Sequence, residues 1–162
     1  KTFPGTLCAL EGDPRACAML EAAIERAGGG CFRVRTDQKL VYHAGTVFVS
    51  NYLVGLLEAG LKCFTEAGMN RQQALAITLP LARGTLDNVA AFDTVHALTG
   101  PIARGDGKLV TDQLASLLDR DPDIGELYAR LGRYALELSR RQGSADAEAL
   151  ERIEQAFARV LS

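Results

Sequence analysis

The chain has 162 residues, 48% of them hydrophobic and 23% charged, with 18 Lys and Arg set against 20 Asp and Glu. That length and apolar fraction suit one ordinary domain with a core of its own. A formal net charge of −2 lacks the basic excess that a phosphate backbone demands, which excludes generic nucleic-acid binding.

The opening Lys1-Thr2-Phe3-Pro4-Gly5 has no basic n-region and no apolar signal core. Thr6 to Glu11 reads as a short strand, and Gly12-Asp13-Pro14 supplies a turn, an N-cap and a proline at the first helical position. Ala16, Leu20, Ala23, Ile24 and Ala27 recur at helical spacing until the glycines at 28 to 30 stop the helix. Cys31 to Val34 then resumes an extended run. This is a β-α-β unit of the length expected for one parallel crossover. Two parallel strands and one helix cannot cover both faces of a sheet. The expectation is therefore that Lys1 is not a natural beginning and that preceding strands of a longer protein complete the sheet.

Everything after Thr36 is helical in pattern. Thr36 or Asp37 caps a long apolar helix to about Ala67, closed by Gly68. Leu40 to Leu57 contains no Asp, Glu, Lys or Arg and reaches the lower limit for a membrane span. His43, Thr46, Ser50 and Asn51 would be costly in lipid, so a buried central helix is expected and no membrane partner. Asn70 and Gln73 make a capping box for a helix to about Phe92, with a kink at Pro80. An irregular stretch from Asp93 to Gly105 follows. Asp106 caps a helix with Leu109, Val110, Leu114, Leu117 and Leu118 on one face. Asp121-Pro122 starts the next, whose expected inner face is Leu127, Leu131, Tyr134 and Leu138. Gly143-Ser144 restarts the chain into a last helix marked by Leu150, Ile153, Phe157 and Val160.

The cysteines at 8, 17, 31 and 63 form no CxxC pair and read as reduced, buried small residues, with no metal site and a cytoplasmic setting. No dinucleotide fingerprint or phosphate loop occurs, and the triple glycine follows a helix rather than preceding one.

On the long helix His43, Thr46 and Ser50 fall at i, i+3 and i+7 with Asn51 beside them, a polar stripe on an apolar segment. Such a stripe is either one wall of a cleft, with His43 moving a proton and Asn51 holding an oxygen, or a local network. In the second case His43 is a satisfied core histidine and the hydroxyls bond back to their own helix. Arg83 and Asp87 have the spacing of a surface ion pair. His96 reads as solvated or as a loop hydrogen-bonder. Arg104-Gly105-Asp106 follows the rigid Thr99-Gly100-Pro101 turn, and Asp106 is explained by capping.

Four stretches carry a resemblance: Thr2-Phe3-Pro4-Gly5 with Glu11-Gly12-Asp13; Tyr42-His43-Ala44 with Ser50-Asn51; Leu81-Ala82-Arg83-Gly84-Thr85 with Asn88; and Leu98 through Asp106. In that order they resemble a family of Rossmann-like oxidoreductases whose C-terminal helical part is a domain of unknown function. More distantly the plan is similar to pyrroline-5-carboxylate reductase, ketopantoate reductase and the β-hydroxyacid dehydrogenases. The resemblance implies a mostly α fold, a helical domain like the C-terminal one of 6-phosphogluconate dehydrogenase, preceded by a β-α-β remnant of a Rossmann-like sheet. Residues 1–35 would end a dinucleotide-binding domain, and 36–162 would form the helical substrate and dimerisation domain.

It further implies an NAD(P)-dependent oxidoreductase of a small polar molecule, inactive as this portion alone, with NAD or NADP held mainly by the missing N-terminal domain. His43 is the expected acid/base and Asn51 the group orienting the reacting atom, with Ser50, Arg83 and Arg104 as substrate contacts. The alternative is a non-catalytic dimeric nucleotide-sensing module. The hydroxyacid dehydrogenases and ketopantoate reductases place a catalytic Lys on the first long helix, whereas no Lys occurs here between Lys39 and Lys62. Because the long helix is apolar nearly all round, and Gly45, Gly55 and Gly60 leave room for a neighbouring backbone, a homodimer is expected.

Overall fold

A computed structural model describes residues 3–162; Lys1, and Thr2 of the first motif, lie outside the described residues. The chain divides into two compact units, Lys1–Glu58 and Ala59–Ser162.

In the first unit β1 (Leu7–Leu10) and β2 (Gly30–Arg33) pair in parallel, joined by α1 (Pro14–Arg26). The chain starts α1 where the turn chemistry demands it: Asp13 Oδ1 accepts from the amides of Arg15 at 3.0 Å and Ala16 at 2.9 Å. Gly28, at a φ of +81°, stops it. In register, Leu7 faces Gly30, Cys8 faces Cys31, Ala9 faces Phe32 and Leu10 faces Arg33. Arg33 reaches Glu21 of α1 at 3.0 Å, so the face shared by Cys31 and Arg33 is the one that α1 covers.

The long helix is not continuous. A 3₁₀ turn over Thr36–Gln38 leads into α2 (Lys39–Val49), which breaks at Ser50 (φ −120°, ψ −77°) before α3 (Asn51–Glu66). Neither Gly nor Pro stands at the break. Lys39 bonds Glu11 at 2.9 Å and the Phe32 and Tyr42 rings meet edge to face at 5.7 Å, fastening the start of α2 to the strands. The Lys39 ammonium, with the Thr36 hydroxyl, holds the Glu11 carboxyl below the ordinary range.

The expected burial of this segment is not met within one chain. Leu40 is 84% exposed and Val49 75%, and Val41, Phe48, Tyr52 and Val54 are also open. By length and composition Thr36–Glu66 would suffice to cross a membrane.

In the second unit α4 (Arg71–Ala97) opens with the reciprocal capping box of Asn70 and Gln73, each bond 2.9 Å. The backbone stays helical through Pro80, and the break falls instead at Asp93 (φ 66°, ψ 178°). Then come α5 (Gly107–Arg120), α6 (Pro122–Gln142) and α7 (Ala147–Val160), capped by Asp106, Asp121 and Asp146. Their shared core is Val110, Leu114, Ala129, Leu136, Leu150, Ile153 and Phe157.

The inner face of α6 is not the leucine stripe. Gly125, Ala129, Gly132, Leu136 and Ser139 are buried, while Leu131 is exposed and Tyr134 is 75% exposed. Small residues win because the large groups come from the neighbours. A Cβ on Gly132 would sit 2.4 Å from Cζ of Phe157, so the ring occupies the notch that the glycine leaves.

Candidate functional site

The first unit carries His43, Ser50 and Asn51. Thr46 Oγ donates to the His43 carbonyl at 2.7 Å, and Ser50 Oγ lies 2.6 Å from the Thr46 carbonyl. Of the two readings of the stripe, the hydroxyls therefore follow the local one and bond back to their own helix. Ser50 Oγ also lies 2.9 Å from Asn51 Oδ1. A hydroxyl has one hydrogen, so Ser50 satisfies one of these two acceptors at a time, or accepts from Asn51 when that amide is turned over. Asn51 is thus held at the first position of α3, with the rest of its amide free to bond outward.

His43 departs from the core-histidine reading: it is exposed, and among the described residues no hydrogen bond engages its ring. An open imidazole can exchange a proton, and an anchored amide can hold an oxygen or nitrogen. Ser50 itself marks the break between α2 and α3, and Asn51 follows it directly.

The second unit carries Arg83, on α4, and Arg104. Arg83 is exposed and the expected ion pair to Asp87 does not form. Arg104 lies in the 99–106 string, which the structure winds into successive turns. Arg104 N bonds the Gly100 carbonyl at 3.2 Å, Gly105 N that of Ile102 at 3.1 Å, and Asp106 N that of Pro101 at 2.8 Å. Three side chains of α6 and its exit fasten that string: Gln142 to the Leu98 carbonyl at 3.2 Å, Ser139 to that of Ile102 at 3.1 Å, and Ser144 to that of Ala103 at 3.3 Å. Arg104 is thereby an exposed guanidinium on a rigid turn, without an ion-pair partner among the described residues. Asp106 spends its carboxylate on the cap, as its sequence position suggests.

Asp93 opens the stretch that the sequence pattern marks as irregular, but nothing in the sequence singles it out as strained. Its backbone occupies a region that only glycine enters freely, at a cost of about 1–3 kcal/mol. The carboxylate offsets this by accepting from the amides of Val95 at 2.7 Å and His96 at 3.1 Å, with His96 Nδ1 at 3.4 Å. The His96 amide bond is the largest influence holding that carboxyl below its ordinary range. The signal available was a short polar residue at the end of a helical pattern. His96 is not a loop residue: it stands exposed in the last turn of α4, with its ring against the Asp93 carboxylate.

Two clefts open in the second unit. One, of about 470 Å³, lies between the end of α3 and the α5–α6 junction, where Lys62 and Asp121 approach to 3.9 Å, as do Arg120 and Glu66. The other, of about 550 Å³, is lined by Arg130, Arg133, Tyr134 and Arg140; Arg140 bonds Glu154 at 2.5 Å and holds its carboxyl below the ordinary range. Neither is lined by Arg83 or Arg104. Among the described residues no cluster of His, Cys, Asp and Glu has the geometry of a metal site.

A parallel β-α-β start followed by helices, with polar groups around a broken apolar segment, defines the class: a mostly α protein carrying a small α/β opening. Within that class the chain belongs to the domain-of-unknown-function family DUF2520, whose family model matches residues 6–135. Among solved structures it is similar to protein TM1727 from Thermotoga maritima, at 26% identity and a TM-score of 0.75 over 84% of this chain. The chain spans 54% of the length of that protein. No curated protein matches it in sequence.

Proposed function

We propose that this chain is the substrate-side and dimerising part of an NAD(P)-dependent oxidoreductase acting on a small polar molecule in the cytoplasm. The observation that carries the reading is the β1–α1–β2 crossover, a parallel pair with open edges that suits the end of a larger nucleotide-binding sheet running into helices. The chain's spanning only 54% of TM1727 accords with further residues completing that sheet, residues 1–35 closing the nucleotide domain and 36–162 forming the helical one. In this reading the cofactor, NAD or NADP, is held mainly by that other part and supplies the hydride. His43 gives or takes the proton at the reacting oxygen or nitrogen, Asn51 orients it, and Ser50, Arg83 and Arg104 are the substrate contacts.

The test is a fluorescence titration of the full-length protein with NADPH and NADH. Quenched protein emission or enhanced nicotinamide emission, saturable at micromolar cofactor, is the expected result. No response to either nucleotide would sink the cofactor assignment. The competing reading, a nucleotide-sensing dimer without turnover, draws on the absence of Lys from 40 to 61 and on a His43 that no neighbour orients. Nucleotide binding with no substrate-dependent oxidation across a panel of hydroxy and amino acids would favour it.

Association follows from α2 and α3. Large side chains left open along them, from Leu40 to Val54, present an apolar surface of the kind that a stable protein covers with a partner. Around Gly45 and Gly55 no atom lies within 4 Å of an added Cβ, so a neighbouring backbone has room there. A second copy is the occupant assigned in this proposal, with an obligate interface above about 2,000 Å². Light scattering of this chain at micromolar concentration should give twice 17.4 kDa without detergent. A helical monomer at 17.4 kDa, or a chain that stays dispersed only with detergent and floats with phosphatidylcholine vesicles, would overturn it.

A further inference from the structure

Cys8 and Cys31 are direct register partners on adjacent parallel strands, and both are free thiols. Register partners in a parallel pair project to the same side of the sheet, with Cα atoms about 4.8 Å apart. That spacing lies inside the range of about 4.4–6.8 Å that a disulfide spans. Arg33, two residues beyond Cys31 and on the same face, is tied to Glu21, so both thiols lie on the side that α1 covers. Cys17, one turn before Glu21, is 2% exposed on that helix, whereas Cys8 and Cys31 are half-buried and open to small reagents. Cys63 stands in the other unit.

We infer that Cys8 and Cys31 form a reversible disulfide that covalently clamps β1 to β2 when the chain meets a small-molecule disulfide such as oxidised glutathione. The inference is independent of the oxidoreductase reading. Burial, then the neighbouring Cys8, Glu21 and Glu25, pushes the Cys31 thiol up, which makes Cys31 the poorer first nucleophile. Cys8 therefore opens the reaction. Its thiolate attacks one sulfur of oxidised glutathione, forming a Cys8–glutathione disulfide and releasing glutathione thiolate. Cys31, giving its proton to water, attacks the Cys8 sulfur, breaks that mixed disulfide and expels the second glutathione thiolate. Two cysteines are oxidised, one glutathione disulfide is reduced, and the two protons end on the two glutathione thiols.

The experiment incubates the 162-residue chain in oxidised glutathione at neutral pH, quenches it by alkylation and maps the tryptic peptides without reduction. Trypsin places the four cysteines on separate peptides, 2–15, 16–26, 27–33 and 63–71, so every pairing is readable. The expected result is loss of two of the four titratable thiols and a link between 2–15 and 27–33, reversed by dithiothreitol. Cys8→Ser and Cys31→Ser should each abolish the link, and Cys63→Ser should leave it intact. Four thiols still titratable, glutathione retained on Cys8 or Cys31, or a link through the 16–26 peptide would overturn the inference. Circular dichroism of each variant separates loss of the link from loss of the fold.

Discussion

Phe157→Ala is expected to destabilise the Ala59–Ser162 unit by about 3–5 kcal/mol, read from the urea midpoint of its helical circular dichroism. The ring is fully buried, meets Tyr128 edge to face at 6.1 Å and fills the notch at Gly132. Its removal leaves a cavity that α5 and α6 cannot close without moving Val110, Leu114 and Leu136 together. The reciprocal change, Gly132→Ala, puts a methyl where the ring already stands and should cost about 1–3 kcal/mol by overpacking. Because the two changes act on one contact, they should not add. Gly132→Ala combined with Phe157→Leu should be less harmful than the sum of the two single changes. Simple additivity, or a Phe157→Ala cost below about 1 kcal/mol, would mean that the ring and the notch are not one packed unit.

His43→Ala in the full-length protein, assayed with whichever substrate supports turnover, should lower kcat by about 10²–10⁴-fold with KM little changed. The expectation rests on His43 acting as the proton donor or acceptor of the proposed reaction. Its ring is open, with no competing hydrogen bond among the described residues. Asn51→Ala should act differently, raising KM as well as lowering kcat, because the amide at the start of α3 orients the substrate and is itself steadied by Ser50. If the Lys-free helix is only a support, both variants will turn over like the parent. Unchanged rates for both would remove His43 and Asn51 from the chemistry.

Most element starts were legible because each is written as local chemistry. Asp13 before Pro14, Asn70 three before Gln73, Asp106, and Asp121 before Pro122 all cap helices where the pattern places them. The strand-helix-strand opening was legible for the same reason. Three features were not. The break at Ser50 follows an uninterrupted apolar run, and a serine back-bonded to the preceding turn is common inside unbroken helices, so only the backbone reveals it. The orientation of α6 defeated hydrophobic periodicity. Its leucines form the better stripe, yet contact with Phe157 and Leu118 requires residues without bulk, and a glycine looks like weakness rather than a core position. The buried central helix expected of the apolar segment is not met: apolar composition says that a segment should be covered but not by what, and this chain leaves it open. The candidate residues were readable as types and spacings. Which groups are occupied, such as Thr46, and which are open, such as His43 and Arg104, depends on hydrogen bonds that spacing does not fix.

The packing of α5, α6 and α7 sets an order in time. Each packs on its neighbour across a short turn, so little chain entropy is lost in closing any one contact, and the trio should form quickly once its residues are present. During synthesis, however, Val110, Leu114, Ala129 and Leu136 emerge well before Leu150, Ile153 and Phe157, the residues that seal them. For that interval the nascent chain shows an apolar surface with an empty slot at Gly132, and α6 carries a second greasy stripe on its other side. A ribosome-bound intermediate of this kind is a natural client for a holding chaperone. The moment at which Phe157 docks is when that client relationship would end.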